Sequence, residues 1–457
     1  MFSCTELRAD LSSGEVAFDY LLSGGSGPAI GFTERLRFPV PPGELSQPRR
    51  EAFDAVLRLL HVVAGVSYFK LAAPPTVDLG PVGFTAAELG YLRGVYLHGL
   101  REFAYQNDLP SVLDTRFTAG AGEPVPDPPA PDSSGDASWY SIDARPLVPC
   151  GGGKDSIVST EAMIRSGRDP VAFAVNPNSI IDSVVSASGL ELLKVSRTLD
   201  RQLFALNRLG AYNGHVPVTA VNSLIAVAAS ILHGFGPVVM SNESSASSPN
   251  LYWLGEPVNH QWSKSADAEQ ALQAALRSRL GVTGLYFSLL RHLNELQIAR
   301  LFCGTTAYDG VLTSCNNAYT IDRPATQRWC RNCPKCRFVF LALAPFASVE
   351  RMVDIFGANL LQDEDQLPGY RALLGIGGPK PFECVGEIAE SQAAVARLGE
   401  LAPWRATPVV RQLLSEIDPL LPSWSDVLDQ RALSYAPQSF VQSLSGLTGA
   451  ATVSSPA

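Results

Sequence analysis

Gly151–Gly152–Gly153–Lys154–Asp155–Ser156 stands between a short apolar run, Arg145–Pro149, and an amphipathic stretch, Ser156–Arg165. Three successive glycines let the backbone turn sharply and present N–H groups without Cβ obstruction. At a helix start those amides and the positive end of the helix form a place for an anion. Lys154 could add a point charge, Asp155 could cap the helix or hold a metal ion, and Ser156 could donate to a phosphate oxygen. The turn is neither G-x-x-x-x-G-K-[ST] nor G-x-G-x-x-G, which disfavours Walker-type and dinucleotide readings. A glycine turn that merely caps a helix is the plain alternative, and the strand–turn–helix context weighs against it.

A second group is R-W-C-R-N-C-P-K-C-R, which carries Cys330, Cys333 and Cys336, with Cys315 a short way upstream. Four thiolates suffice for a closed tetrahedral zinc site. An iron–sulfur cluster takes the same ligands, and a catalytic thiol pair is the third reading. Arg328, Arg331, Lys335 and Arg337 would offset the negative charge. The other cysteines are scattered and the N-terminus has no basic stretch before an apolar run. Reduced thiols and a cytoplasmic chain are therefore expected, not a disulfide framework.

Further candidates lie on loops. The apolar run Phe235–Ser241 leads into N-E-S-S-A-S-S and then N-H-Q-W-S-K-S, which places Asn242, Glu243 and Ser244 at a strand's end, with His260 and Lys264 following. Such an edge is where an α/β sheet builds its ligand crevice. K-P-F-E-C-V-G-E holds Cys384. By residue type His260, Glu243, Asp309 and Cys384 are the acid/base candidates, and Arg323 and Arg328 could meet phosphates or carboxylates.

The elements that position these groups fall into recognisable blocks. At 457 residues and about 150 per domain, roughly three units are expected. Residues 1–118 read as α+β: strands Glu15–Leu22 and Gly31–Val40, then helices Arg50–Val63 and Ala86–Gln106. Residues 119–138 are rich in Pro, Gly, Asp and Ser and read as a linker. Residues 139–345 alternate strand and helix, with strands at Pro170–Asn176 and Leu192–Val195 and helices at Ile180–Ser188 and Ala220–Leu232, which argues for a parallel sheet. Residues 346–436 read as helical, and residues 437–457 as a fraying tail. The long apolar window Val221–Met240 is broken by Asn222, Ser230, His233 and two glycines, so a buried helix and strand are expected, not a membrane span. With 35 basic against 44 acidic side chains and net charge −9, neither nucleic acid nor an anionic membrane is an expected partner.

GGGKDS resembles the S-G-G-x-D-S pyrophosphate loop of the N-type ATP pyrophosphatases (PP-loop superfamily), with Gly151 in place of the first Ser. That resemblance implies a five-stranded parallel HUP-type sheet and cleavage of ATP between its α- and β-phosphates. Its expected fold class is α/β: a parallel-sheet ATP pyrophosphatase-like domain with an α+β N-terminal domain and a helical C-terminal extension. A pyrophosphatase loop followed by a cysteine cluster also resembles the layout of 7-cyano-7-deazaguanine synthase, whose cluster binds zinc. Taken with S-N-E-S-S-A-S-S, N-H-Q-W-S-K-S and K-P-F-E-C-V-G, the chain is similar to the bacterial MurL-type epimerases of UDP-N-acetylmuramoyl-L-alanyl-L-glutamate.

This closer resemblance implies inversion of the terminal L-glutamate of a UDP-muramoyl dipeptide, consuming ATP and Mg²⁺ and releasing AMP and pyrophosphate, with one structural Zn²⁺. Gly151, Gly152, Gly153, Lys154, Asp155 and Ser156 would hold the nucleotide. Asp155, Lys154, His260, Glu243 and Cys384 would serve catalysis, and Cys315, Cys330, Cys333 and Cys336 the metal. The chemistry is coherent, because a carboxylate suppresses loss of its own α-hydrogen and an acyl-adenylate does not. The alternatives are another adenylating PP-loop enzyme, nucleobase-modifying or tRNA-thiolating, and a non-catalytic zinc- and nucleotide-binding module.

Overall fold

Alternating strands and helices after Arg145 assemble into parallel strands in a computed structural model of the chain, which describes residues 1–24, 28–41, 43–81, 83–118, 137–319, 327–378, 380–417 and 423–448. The strands are β1 (Phe2–Asp10), β2 (Glu15–Leu22), β3 (Ile30–Arg37), β4 (Thr76–Asp78), β5 (Arg116–Thr118), β6 (Leu147–Pro149), β7 (Val171–Val175), β8 (Leu192–Thr198), β9 (Val238–Met240), β10 (Leu251–Trp253), β11 (Glu256–Val258) and β12 (Tyr286–Ser288). Ten of them form one mixed sheet in the order β12-β9-β6-β7-β8-β3-β2-β1-β4-β5, while β10 and β11 form a separate hairpin. From β12 to β8 every neighbour is parallel.

Alternation along these strands explains why both faces are covered. Successive side chains point to opposite faces of a sheet. Val171 and Phe173 of β7 accordingly join one apolar core, while Ala172 and Ala174 join the other. Helices Gln47–Ala64, Val218–His233 and Ala266–Leu280 bury their apolar residues in the first core. Helices Lys154–Arg165, Ser179–Ser188, Glu295–Phe302, Pro334–Leu343 and Ile388–Glu400 do so in the second. Parallel sheets are characteristically buried on both faces in this way.

Several expectations change here. The N-terminal block is not walled off from the parallel strands. Antiparallel β3–β8 pairing makes one sheet of both, with Arg37 opposite Ser196 and Arg35 opposite Thr198. The expected helix Ala86–Gln106 is two, Ala86–Leu97 and Arg101–Gln106. The fraying expected after Ala436 does not hold for residues 437–448. Helical turns run from Gln438 to Thr448, and Phe440 is fully buried because its ring packs on Phe287 at 4.9 Å and under the Arg168 guanidinium at 3.7 Å. The linker 119–138 lies, apart from its last two residues, outside the described residues, as do residues 449–457. Gln47–Phe69 is long and apolar enough to cross a membrane, but 89% of its most apolar window is buried against the rest of the chain.

Candidate active site

Gly151–Ser156 leaves the C-terminal end of β6, and Ser241–Glu243 leaves that of β9. These adjacent strands are where the chain order reverses, with β7 and β8 on one side and β12 on the other. In open α/β sheets that switch point opens a crevice beyond the strand ends. Gly152 adopts φ +81°, and a Cβ there would lie 2.7 Å from Tyr319 Oη; one on Gly153 would lie 2.5 Å from Ser314 Oγ. Gly151 by contrast is exposed, with nothing near the position of a Cβ. Gly152 is thus favoured by its left-handed backbone, Gly152 and Gly153 both pack closely on neighbouring hydroxyls, and Gly151 leaves the outer side open. Helix Lys154–Arg165 begins without a side-chain cap, so its first amides remain available to an acceptor.

Two loop residues are committed elsewhere than the sequence suggested. Lys154 is 1% exposed, and its ammonium is held between Asp155 and Glu295. Burial by itself would strip its proton, but the two carboxylates keep it charged. It ties the turn to helix Glu295–Phe302 and is not a free charge for phosphate. Ser156 Oγ donates to Gly153 O at 3.0 Å, closing the turn on itself. Asp155 keeps about a quarter of its side chain exposed.

Around the turn lies a dense set of ionisable groups. Burial raises the Glu295 carboxyl. Lys335 Nζ is 3.9 Å from it and also donates to the Cys384 carbonyl. Burial and the neighbouring Glu295 charge push Glu390 up to about 7. Glu390 accepts from the Glu295 and Glu387 amides, both at 2.6 Å, and from Ser245 Oγ at 2.8 Å. Arg291, also 1% exposed, donates to the Glu243 carbonyl at 2.6 Å and the Lys264 carbonyl at 2.5 Å, bracing both loops. The Glu243 carboxylate is buried with Lys264 in its field. Lys380 is buried near Glu390, Glu387 and Glu243, and burial lowers its pKa.

Beside this set Lys264 Nζ lies 3.4 Å from Cys384 Sγ. His260 lies close enough to the same sulfur to stabilise its charge, and its Nδ1 hydrogen-bonds Glu102 Oε2 at 2.6 Å. Burial would raise the Cys384 thiol, yet Lys264 and His260 bring it down to about 6. Burial would likewise lower His260, but the neighbouring Cys384 and Glu102 bring it up to about 9. His215 packs against His260, with ring centroids 4.6 Å apart and planes tilted by 48°. Glu102, His215 and His260 are near enough to share an ion, but the Glu102–His260 hydrogen bond already uses the same atoms.

Cys315, Cys330, Cys333 and Cys336 converge, with Sγ–Sγ separations of 3.4, 3.8 and 4.0 Å among three pairs. Tetrahedral zinc with Zn–S of about 2.3 Å needs sulfurs about 3.8 Å apart, so the four can hold a structural ion. Cys333 caps helix Pro334–Leu343 and Arg331 takes φ +61°, which folds the C-x2-C segment back on itself. The strand of chain entering this cluster lies directly on the glycine turn: Thr313 N donates to Gly152 O at 3.1 Å and Tyr319 Oη to Gly151 O at 2.7 Å.

Of the residues singled out by type, Asp155, Glu243, His260, Lys264 and Cys384 come together at the strand ends. Asp309 does not: Arg351 binds both its oxygens, at 2.8 and 3.0 Å, making it a structural ion pair. Arg328 donates to the Asp309 and Leu312 carbonyls and borders a cavity of about 570 Å³ beside the glycine turn. Arg323 lies outside the described residues. Glu102, Glu295, Lys380 and Glu390 had no local signal, because each is defined by a partner far away in the chain; Glu295 and Lys154 are 141 residues apart.

Residues 1–289 match the family model of the MurL N-terminal domain, and residues 311–426 that of the MurL C-terminal domain. The chain is 51% identical over 453 residues to a Salinispora tropica protein named UDP-N-acetyl-alpha-D-muramoyl-L-alanyl-L-glutamate epimerase, covering 98% of this chain and 96% of that one. Proteins of the same name from a Micromonospora species and from Xanthomonas oryzae pv. oryzae are 53% and 43% identical, over 91% and 86% of this chain and 90% and 85% of their own. No solved structure matches the chain. By both family models and by near full-length identity, the chain belongs to the MurL epimerase family.

Proposed function

We propose that this chain inverts the terminal L-glutamate of UDP-N-acetylmuramoyl-L-alanyl-L-glutamate to D-glutamate, using ATP to form an acyl-adenylate and releasing AMP and pyrophosphate. The observation that carries the ATP-dependent part is the position of the glycine turn. It is open on its outer side, precedes an uncapped helix, and lies at the switch point next to the ionisable cluster. The order β12-β9-β6-β7-β8 supports reading this half as a PP-loop, HUP-type sheet. Amides of Gly151–Lys154 hold the phosphates, and the cavity lined by Asn176, Asn178, Ile180, Ile181, Tyr319 and Arg328 takes the nucleoside. Asp155 suits Mg²⁺, which when bound would neutralise charge on the departing phosphate oxygens. The thiolates of Cys315, Cys330, Cys333 and Cys336 hold zinc.

Adenylation removes the carboxylate charge that opposes loss of the α-proton. Glu243, buried with Lys264 and Lys380 near it, is the acceptor for that proton. Lys264, Lys335 and Lys380 give the crevice the positive charge an anionic substrate needs. Incubation with ATP, Mg²⁺ and the UDP-muramoyl dipeptide, followed by acid hydrolysis of the dipeptide and chiral resolution of its glutamate, tests the reading. Inversion with equimolar AMP and pyrophosphate is expected. Pyrophosphate release only with a different acceptor would move the chain to another adenylating activity, and nucleotide binding without turnover would make it a non-catalytic module.

A further inference from the structure

The crevice contains a thiolate that adenylation by itself does not require. Cys384 is half-buried, and its Sγ lies 3.4 Å from Lys264 Nζ. It also faces His260, whose Nδ1 is held by Glu102 at 2.6 Å. A sulfur paired with an imidazole, itself oriented by a carboxylate, is the arrangement of an activated nucleophile. It is not the arrangement of two opposed proton carriers. Sulfur and ring lie side by side, so they stand on one side of a substrate and do not flank its α-carbon from opposite faces. Lys335, donating to the Cys384 carbonyl, fixes the backbone of this loop. Lys264 lies within the fields of both Cys384 and Asp155 at the glycine turn, so the thiol is near the place where an activated carboxyl would form.

We infer that Cys384 takes the glutamyl group from the adenylate as a thioester, and that inversion takes place on this covalent acyl-enzyme. This step rests on the ATP-dependent reading above. The thiolate lone pair forms the C–S bond, and the bond from the acyl carbon to the phosphate oxygen breaks, its electron pair leaving with AMP. No oxidant or reductant is needed. A thioester carries no carboxylate charge, so its α-proton stays acidic enough for Glu243 to remove; water then protonates the α-carbon on the other face, and the hydroxide left takes the proton back from Glu243. With the thiolate consumed, His260 loses the charge that holds its proton and releases that proton to solvent. It then takes a proton from water, the hydroxide adds to the acyl carbon, and the C–S bond breaks to restore the thiolate–imidazolium pair.

The test uses the full-length protein with ATP, Mg²⁺ and the UDP-muramoyl dipeptide, and compares three rates in wild type, Cys384→Ala and Cys384→Ser. They are dipeptide-dependent exchange of labelled pyrophosphate into ATP, AMP release, and inversion. Both variants are expected to keep exchange within about tenfold while AMP release and inversion fall by about a thousandfold or more. In acid-quenched wild type, the peptide containing Cys384 should gain the mass of the substrate less one water. Inversion by Cys384→Ala within about tenfold of wild type would overturn the thioester. Continued AMP release without inversion would overturn it too, making the sulfur a proton carrier, and loss of exchange in both variants would reduce Cys384 to a binding or structural role. Failure of exchange in wild type would instead overturn the adenylate reading, and the thioester with it.

Discussion

At the scale of single residues, charge decides what the crevice can do. Cys384 and His260 shift in opposite directions because each faces opposite charge: against burial, Lys264 and then His260 bring the thiol down, while Cys384 and then Glu102 bring the imidazole up. The sign follows from the two values. A thiol brought down to about 6 is ionised above that pH, and an imidazolium brought up to about 9 stays charged below it, so both are charged between them. Iodoacetamide labelling of Cys384, followed by peptide mass spectrometry, should therefore keep its rate down to about pH 6 and fall below it. In His260→Gln the midpoint should move upward, since burial is then opposed by Lys264 with less help. A midpoint unchanged by that substitution would mean the imidazole does not support the thiolate. None of this was visible in the sequence beyond the residue types. K-P-F-E-C-V-G shows a cysteine between helix-breaking residues, but its partners His260 and Lys264 lie 124 and 120 residues away.

At the scale of elements, the cysteine cluster and the glycine turn behave as one unit. Thr313 and Tyr319 flank Cys315 in sequence and hydrogen-bond the carbonyls of Gly152 and Gly151, so an ion that gathers the four sulfurs also holds the turn in place. Metal analysis should find about one zinc per chain. Cys333→Ser should lose it, lower the melting temperature by several degrees, and weaken nucleotide binding although no cysteine contacts the nucleotide in our reading. Zinc loss with nucleotide affinity intact would uncouple the two elements. The spacing C-x2-C-x2-C was legible because metal ligands must be close in sequence to be close on a tight knuckle. The packing of that knuckle on the turn was not, since hydrogen bonds between carbonyls and distant amides leave no trace in residue type.

At the scale of the whole molecule, the N-terminal strands extend the parallel sheet, and one buried ion pair marks the seam. Glu34 of β3 is fully buried, and Arg197 of β8 binds it through Nε at 2.7 Å and Nη2 at 3.2 Å, while Nη2 also reaches Ser67 Oγ at 3.3 Å. Arg197→Ala would strand the Glu34 carboxylate in the core. Removing one partner of a buried pair costs about 3–5 kcal/mol, a large fraction of a typical protein's stability. Urea denaturation should show a loss of that order. Arg197→Ala with Glu34→Leu should recover part of it, because two apolar groups need no partner. A loss below about 1 kcal/mol would mean that the seam is solvated and contributes little.

The amino-acid order alone determined the strand–helix alternation, the sharp turn at GGGKDS and the cysteine knuckle, because each follows from local periodicity, glycine freedom or ligand spacing. Tertiary structure decided the rest: the antiparallel join of β3 to β8, the diversion of Lys154 from phosphate to Glu295, and the meeting of Cys384 with His260, Glu102 and Lys264. Those outcomes depend on which buried charges find opposite charges. In a low-dielectric interior that pairing is settled by three-dimensional proximity between distant segments, not by neighbours along the chain.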